Sequence, residues 1–246
     1  MTLKNKLSPN PWGPLRVVCD FDGTITDIDT IDALLERFAP GRWEDIEGQW
    51  LAGLISAREC LSRQIPLIQA NKDELDGYLD GIPLTPGFEQ FVALMRGRGH
   101  PPVIISDGLD YVIKRLLARS SLMDMPVAAN HLTRIGDGYA LSFPHSREGC
   151  GSGVCKCEVA ERLKGPMVLI GDGRSDFCLA DRASLVLAKA GRPLAAYCQE
   201  NDLPYAAYED FFDLIEICDI IKIWPQNDRP SLDLSRRLPH ERPDRP

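Results

Sequence analysis

The sequence predicts an α/β fold, a Rossmann-like parallel sheet covered by helices, with a block of helices inserted after the first strand. Three observations predict it. Short apolar runs at Val17-Val18-Cys19, Val103-Ile104-Ile105 and Met167-Val168-Leu169-Ile170 read as buried strands, and each ends in a glycine-containing acidic turn. Helical patterns alternate with such strands from residue 82 onward, and repeated strand–helix units with short connections imply a parallel sheet. Between Asp29 and Asp80 no strand signal intervenes.

Taken in order, the first strand is followed by helical patterns over Thr30–Phe38, Trp43–Leu54, Ala57–Ile68 and Lys72–Leu79. Pro86-Gly87 then opens a helix over Phe88–Arg98, Val103–Ser106 is a strand, and Tyr111–Ala118 a helix. Residues 128–143 alternate around Gly136-Asp137-Gly138, which reads as a β-hairpin. Lys156–Leu163 is helical, Met167–Ile170 a strand and Ser175–Asp181 a helix. Ser184–Ala188 is a further strand, with a helix to about Glu200 and a last one near Asp210–Ile223. The expected organisation is a core of residues 15–28 and 82–224, a helical insert of 29–81, and flexible ends at 1–14 and 225–246, the latter rich in Pro, Arg and Asp.

Composition narrows the function. With 246 residues, 44% hydrophobic and 26% charged, the chain is an ordinary globular one. Its net charge of −8 argues against a nucleic-acid partner, whose phosphates attract basic faces. No apolar run is long enough to cross a bilayer, and residues 1–14 lack the apolar core of a secretory signal. Eight cysteines then read as thiols of a cytoplasmic protein. A monomer or homodimer acting on a small molecule is expected.

The most informative stretch is Asp20-Phe21-Asp22-Gly23-Thr24. Side chains two apart on an extended segment point the same way, so Asp20 and Asp22 share a face at a strand's carboxyl end, where ligands of open parallel sheets bind. Gly23 allows a tight turn, and Thr24 offers a hydroxyl and backbone donors. Two acids crowded there repel and call for a cation. Gly171-Asp172-Gly173-Arg174-Ser175-Asp176 repeats the arrangement, and Ser106-Asp107-Gly108 repeats it with a hydroxyl first. Lys156 opens a helical pattern shortly before the strand at 167.

This ordered set resembles the haloacid-dehalogenase-like (HAD) superfamily of phosphoryl-transfer enzymes, over about residues 15–219. The resemblance implies an HAD fold and hydrolysis of a small phosphomonoester through an aspartyl-phosphate. It makes Asp20 the nucleophile and Asp22 the general acid and then base. Ser106 and Lys156 would bind phosphoryl oxygens, helped by the Gly23 and Thr24 amides. Magnesium is the implied cofactor, with the Asp20 and Asp172 side chains and the Asp22 carbonyl as ligands. Asp176 would hold a metal-bound water or steady Lys156. The helical insert would be a cap over the site, as in the phosphoserine-phosphatase-like branch. A phosphotransferase, a mutase or a catalytically spent binding protein are the alternatives on this fold, and the complete set of acids and lysine argues against the last.

Within that branch, Phe143-Pro144-His145-Ser146 and the cysteine-rich run to Cys157 resemble the methionine-salvage phosphatases of 2-hydroxy-3-keto-5-methylthiopentenyl-1-phosphate, as do Phe38-Ala39-Pro40 and Trp43. Phosphoethanolamine/phosphocholine phosphatases share the cysteine before the lysine. Asp29 falls where phosphoserine phosphatases carry a glutamate for the substrate amine, and Gln64 where they carry the arginine for its carboxylate. Phosphoserine is therefore disfavoured unless Arg58 or Arg63 substitutes. Asp107 adds negative charge beside the phosphate pocket unless it turns away. Cys150, Cys155 and Cys157 with His145 have zinc-ligand chemistry, but without a Cys-x-x-Cys pair they read as a loop of reduced thiols before a zinc site. His100, His131 and His240 carry no motif.

Overall fold

A computed structural model describes residues 15–41 and 43–221, so the expectations for both termini and His240 lie outside the described residues. The first strand, β1 (Arg16–Cys19), alternates its side chains between two cores, with Val17 and Cys19 in one and Val18 in the other. Four helices follow: α1 (Thr30–Phe38), α2 (Trp43–Leu51), α3 (Ala57–Gln64) with a 3-10 turn at Ile65–Leu67, and α4 (Lys72–Leu79). Their starts are set locally. Asp29 caps α1 by accepting the Ile31 and Asp32 amides, Ser56 caps α3 through Glu59, and Asn71 with Glu74 forms a capping box on α4. The insert does not stand apart, because Leu34, Leu35, Ile65, Ile68, Leu75 and Leu79 are buried in the same cluster as Val17 and Cys19.

Helix α5 (Phe88–Gly97) leads to β2 (Pro102–Leu109), α6 (Asp110–Leu117) and the hairpin of β3 (Val127–Ile135) and β4 (Gly138–Ser142). The hairpin turns on Gly136 at φ 59 beside Asp137, with Ile135 opposite Gly138. Helix α7 (Lys156–Glu161), β5 (Met167–Gly171), a 3-10 turn at Arg174–Asp176, α8 (Phe177–Ala180), β6 (Leu185–Lys189) and α9 (Pro193–Glu200) follow. The described chain closes with β7 (Tyr205–Tyr208) and α10 (Phe211–Ile221). No helix among the described residues is long and apolar enough to cross a membrane.

The strands form one sheet in the order β4-β3-β2-β1-β5-β6-β7, parallel except for the β3–β4 hairpin. Both faces are covered, as a parallel sheet requires. Val168, Ile170, Leu185 and Leu187 face the cluster that holds the insert, α5, α6 and α10, whereas Leu169, Val186 and Ala188 face the one that holds α7 to α9. The chain runs outward from β1 to β4, then returns to lay β5 on the other side of β1. That reversal leaves a crevice at the carboxyl ends of β1, β2 and β5, where ligands bind in sheets of this kind.

Strand β7 has no counterpart in the sequence reading. Tyr-Ala-Ala-Tyr holds no β-branched residue, and alanine favours helices. It becomes a strand by pairing with β6, from Val186 opposite Tyr205 to Lys189 opposite Tyr208. An aromatic cluster locks it down, with the Phe211 ring centroid 4.9 Å from Phe88, 5.3 Å from Phe91 and 6.1 Å from Tyr208. The fully buried Phe211 thus joins β7 and α10 to α5. Phe211→Ala should cost about 3–5 kcal/mol of folding stability, read as a lowered denaturation midpoint in urea. A midpoint within error of the parent would mean that this end of the sheet is not part of the cooperative core.

Candidate active site

The crevice is lined from three strands. Asp20 follows β1, and its amide donates to the Ile170 carbonyl at 2.9 Å, which fixes it beside β5. The end of β2 departs from regular register with β3 between Ile105 and Leu109, and this irregular stretch carries Ser106, Asp107 and Gly108. Asp172 and Asp176 follow β5. Lys156, at the start of α7, extends into the centre.

Lys156 is the hub. Its Nζ lies 2.7 Å from Asp20 Oδ2 and 2.7 Å from Asp176 Oδ1, and donates to Ser175 Oγ at 3.0 Å, with only 1% of the side chain exposed. An ammonium has three donors, and all three are engaged. Burial alone would lower the lysine's pKa, but Asp176 and Asp20 outweigh it and raise it. Asp20 also accepts from its neighbouring Phe21 amide at 2.7 Å and from Ser175 Oγ at 3.3 Å. Asp176 Oδ2 receives the Asp172 and Gly173 amides at 3.3 and 3.4 Å. Thr24 Oγ1 donates to Asp172 at 3.4 Å.

The repulsion expected between Asp20 and Asp22 is met by giving them different partners. Asp22 turns to Thr30, the first residue of α1, and its Oδ1 accepts the Thr30 amide at 2.8 Å and hydroxyl at 2.5 Å. Burial first, then the charge of Asp29, push Asp22 well above the ordinary carboxylate range, against the two Thr30 hydrogen bonds. With Oδ1 occupied by donors, Oδ2 is the oxygen left to exchange a proton. That oxygen faces Gly108, where a Cβ would sit 2.3 Å from Asp22 Oδ2 and 3.2 Å from Ser106 Oγ. Ser106 Oγ accepts the Gly108 amide at 3.0 Å, which leaves its own proton free to donate. Gly23, at φ 71, and Gly171 make similar room, since a Cβ on either would lie 2.3 Å from the Asp172 or Asp176 carboxylate.

Asp107 does not face the phosphate pocket. Its Oδ1 accepts the Val154 amide at 2.6 Å, and its carbonyl accepts from Asn130 at 2.5 Å. Gln64 is buried and donates to Glu47 at 2.9 Å. The two arginines considered for a substrate carboxylate are engaged elsewhere. Arg58 binds the carbonyls of Arg147, Cys150 and Ser152, and Arg63 pairs with Gln49 and Glu59. The insert surface next to Asp29 is acidic, and burial, then Asp29 and Glu47, push Asp32 up to about 7. Sequence reasoning missed Thr30, Gly108, Asn130 and Ser175. Gly108 and Ser175 carried a signal, since they lie inside the Ser106–Gly108 and Gly171–Asp176 motifs.

The cysteine loop does not gather a metal site. All eight cysteines are free thiols, and no three potential ligands come together around Cys150, Cys155, Cys157 and His145 among the described residues. His145 instead gives its carbonyl to the Cys155 amide, and Cys157 Sγ lies 3.2 Å from Cys178 Sγ. His100 Nδ1 accepts the Leu15 amide, and His131 Nδ1 lies 3.0 Å from Asp110.

One group does gather. Oxygens of Asp20, Asp172 and Asp176 all lie within 4.8 Å of one another. Burial and the charge of Asp20 push Asp172 up to about 6 and Asp176 to about 7, against the attraction of Lys156. Three carboxylates share one ammonium, so the cluster carries surplus negative charge on hard oxygen donors. That donor set fits Mg²⁺.

Comparison with known proteins agrees with this architecture. A model of the haloacid dehalogenase-like hydrolase family matches residues 17–181. A 2-hydroxy-3-keto-5-methylthiopentenyl-1-phosphate phosphatase of Geobacillus thermodenitrificans is 36% identical over 211 residues, covering 82% of this chain and 94% of its own. One from Brevibacillus brevis is 32% identical over 213 residues, with the same coverage of 82% and 94%. Among solved structures, a phospho-aspartyl intermediate analogue of phosphoserine phosphatase superposes with a TM-score of 0.62 at 20% identity, covering 84% of this chain and 98% of that one. At that identity the likeness is one of fold.

The raised carboxylates make stability depend on pH. Between about pH 4 and about pH 7 the folded chain keeps protons on Asp172 and Asp176 that the unfolded chain has released, so stability falls as pH rises through that window. Asp22 and Asp107 act in the same direction, while His100, lowered by burial, opposes them. In a chelating buffer the melting temperature should therefore be higher near pH 5 than near pH 8, and millimolar Mg²⁺ should raise the value at pH 8 most. A metal-free protein that melts higher at pH 8 would contradict this electrostatic picture.

Proposed function

The chain belongs to the haloacid dehalogenase-like hydrolase family, and we propose that it is a magnesium-dependent phosphatase of 2-hydroxy-3-keto-5-methylthiopentenyl-1-phosphate, acting through a phosphoryl group carried on Asp20. Phosphate monoesters hydrolyse extremely slowly in water. A catalyst must supply a nucleophile, neutralise the phosphoryl oxygens and protonate the leaving oxygen.

The chain's own residues meet each need. Asp20 Oδ1 is held by the Phe21 amide and Oδ2 by Lys156, so the carboxylate is fixed for attack on phosphorus, which splits one hard step into two. Asp22, whose neutral form burial favours, gives the Oδ2 proton to the departing alkoxide and later withdraws one from the attacking water. Ser106 Oγ–H donates to the phosphoryl oxygens. The Gly23 and Thr24 amides, expected from the sequence to help, are instead bound to the Ile28 and Phe21 carbonyls at 3.1 and 3.2 Å. Lys156 joins Ser106 by exchanging its longest bond, the 3.0 Å one to Ser175. Asp20, Asp172 and the Asp22 carbonyl would hold Mg²⁺, while Asp176 steadies Lys156. A magnesium ion held there would supply the positive charge that offsets the cluster's surplus. Helices α1 to α4 act as the cap that closes over the site and limits water entry.

One observation favours the thioether ketose phosphate over phosphoserine. Among the described residues of the insert no cation is available to a substrate carboxylate: Arg37 lies over the Phe38 ring, Lys72 pairs with Asp76, and Arg58 and Arg63 are engaged as above. Asp29, Asp32 and Glu47 would instead repel it. A neutral methylthio chain meets no such penalty.

Two measurements test this. Asp20→Asn should lower kcat by at least about a thousandfold with the fold retained by circular dichroism, because an amide cannot form the acyl-phosphate. A residual rate within tenfold of the parent removes Asp20 from the role.

Purified protein with Mg²⁺ should show a kcat/KM for the methylthio ketose phosphate at least about tenfold above that for phosphoserine, a difference of about 1.4 kcal/mol in the barrier. The opposite preference would replace the assigned substrate with an amino-acid phosphate.

A further inference from the structure

We infer that Arg58 is a positioning residue for Lys156, tying the helical insert to the loop that sets the buried ammonium in place. The inference rests on the role proposed for Lys156 above.

The loop at residues 147–155 has no regular structure, so its carbonyls need partners from elsewhere. Arg58, in the first turn of α3, supplies them. Nε donates to Ser152 at 3.1 Å, and Nη2 to Cys150, Ser152 and Arg147 at 2.5, 3.0 and 3.2 Å. The Arg58 amide adds a bond to the Gly151 carbonyl at 2.9 Å. Gly151 lies so close to the insert that a Cβ there would be 3.4 Å from the Ser56 Cβ. A planar guanidinium presents its donors from separate nitrogens in a rigid fork, whereas a lysine offers three from one atom on a flexible stem and so cannot match both the Nε and Nη2 bonds made here.

From Ser152 to Lys156 the chain has no slack. A Cβ on Gly153 would lie 2.4 Å from Asn130 Oδ1. The Val154 amide is bound to Asp107 at 2.6 Å, with its side chain fully buried, and the Cys155 amide to the His145 carbonyl at 2.8 Å. Lys156 comes next, with each donor engaged. Asp107 thus holds the loop from the sheet and Arg58 from the insert, so a shift of the insert reaches Lys156 through three pinned residues. A displacement of about 1 Å at a reacting centre costs about a hundredfold in rate.

The test uses full-length Arg58→Ala and Arg58→Lys, assayed with p-nitrophenyl phosphate and Mg²⁺. The alanine variant should lose about tenfold in kcat with KM changed less than about threefold, consistent with a misplaced group that acts in the transition state. Free guanidinium should restore part of kcat, ammonium should not, and the lysine variant should resemble alanine. Alkylation mapped by mass spectrometry gives a readout independent of turnover. Cys150 and Cys155 should react faster in the alanine variant, while the fully buried Cys198 stays unchanged as a control for global unfolding. An unchanged kcat, a loss confined to KM, or unchanged alkylation of Cys150 and Cys155 would overturn the assignment. If the parent protein turns over no phosphomonoester, the hydrolase reading falls, and the alkylation rates still uphold or overturn Arg58's hold on the loop.

Discussion

The buried ammonium of Lys156, shared by Asp20 and Asp176, is the interaction on which the rest of the site depends. A charge removed from water is costly unless it is paired and its hydrogen bonds are met. Here the pairing joins residues that follow β1 and β5 to one that starts α7, so it also fixes how those elements meet. Three carboxylates around one cation leave an imbalance, however, and the upward shifts of Asp172 and Asp176 express it. Under the proposed function, the same imbalance that weakens the metal-free protein would suit the crevice to a divalent cation.

Shape and charge are set together. Gly23, Gly108 and Gly171 lie where any side chain would overlap a carboxylate, so the acids pack against bare backbone. Thr30 then divides the two oxygens of Asp22 between different tasks, one accepting hydrogen bonds and one left to carry a proton. Since Thr30 opens the first helix of the insert, the acid is anchored by the insert as well as by the sheet.

Much of this was legible in the sequence because the key signals are local. An apolar run, a glycine turn and two acids fall within a few residues, and three such units mark the three strand ends that line the crevice. The helices of the insert were legible for the same reason, through their helical patterns and the absence of an intervening strand signal. What escaped depends on distant partners. Strand β7 exists because β6 pairs with it, against the helix preference of its alanines. Arg58 read as a stand-in for a substrate-binding arginine, and only the arrival of a loop about ninety residues later engages it, as the separation of 92 between Arg58 and Cys150 records. Asp107 read as an intrusive charge until the Val154 amide, 47 residues on, turned it into an anchor.

The sheet order has a consequence for how the molecule is made. Strand β1 leaves the ribosome early, yet it lies at the centre of the sheet and its neighbour on one side is β5, so Val17 waits for Val168. Pairings so far apart in sequence slow folding, because the loop must close before the contact rewards it. Until residue 176 has emerged, Asp20 lacks its companions from β5, and a shorter nascent chain can complete neither the centre of its sheet nor its acidic crevice. The segment through β4 can pair β1 with β2, but the other side of β1 stays open until β5 has been made.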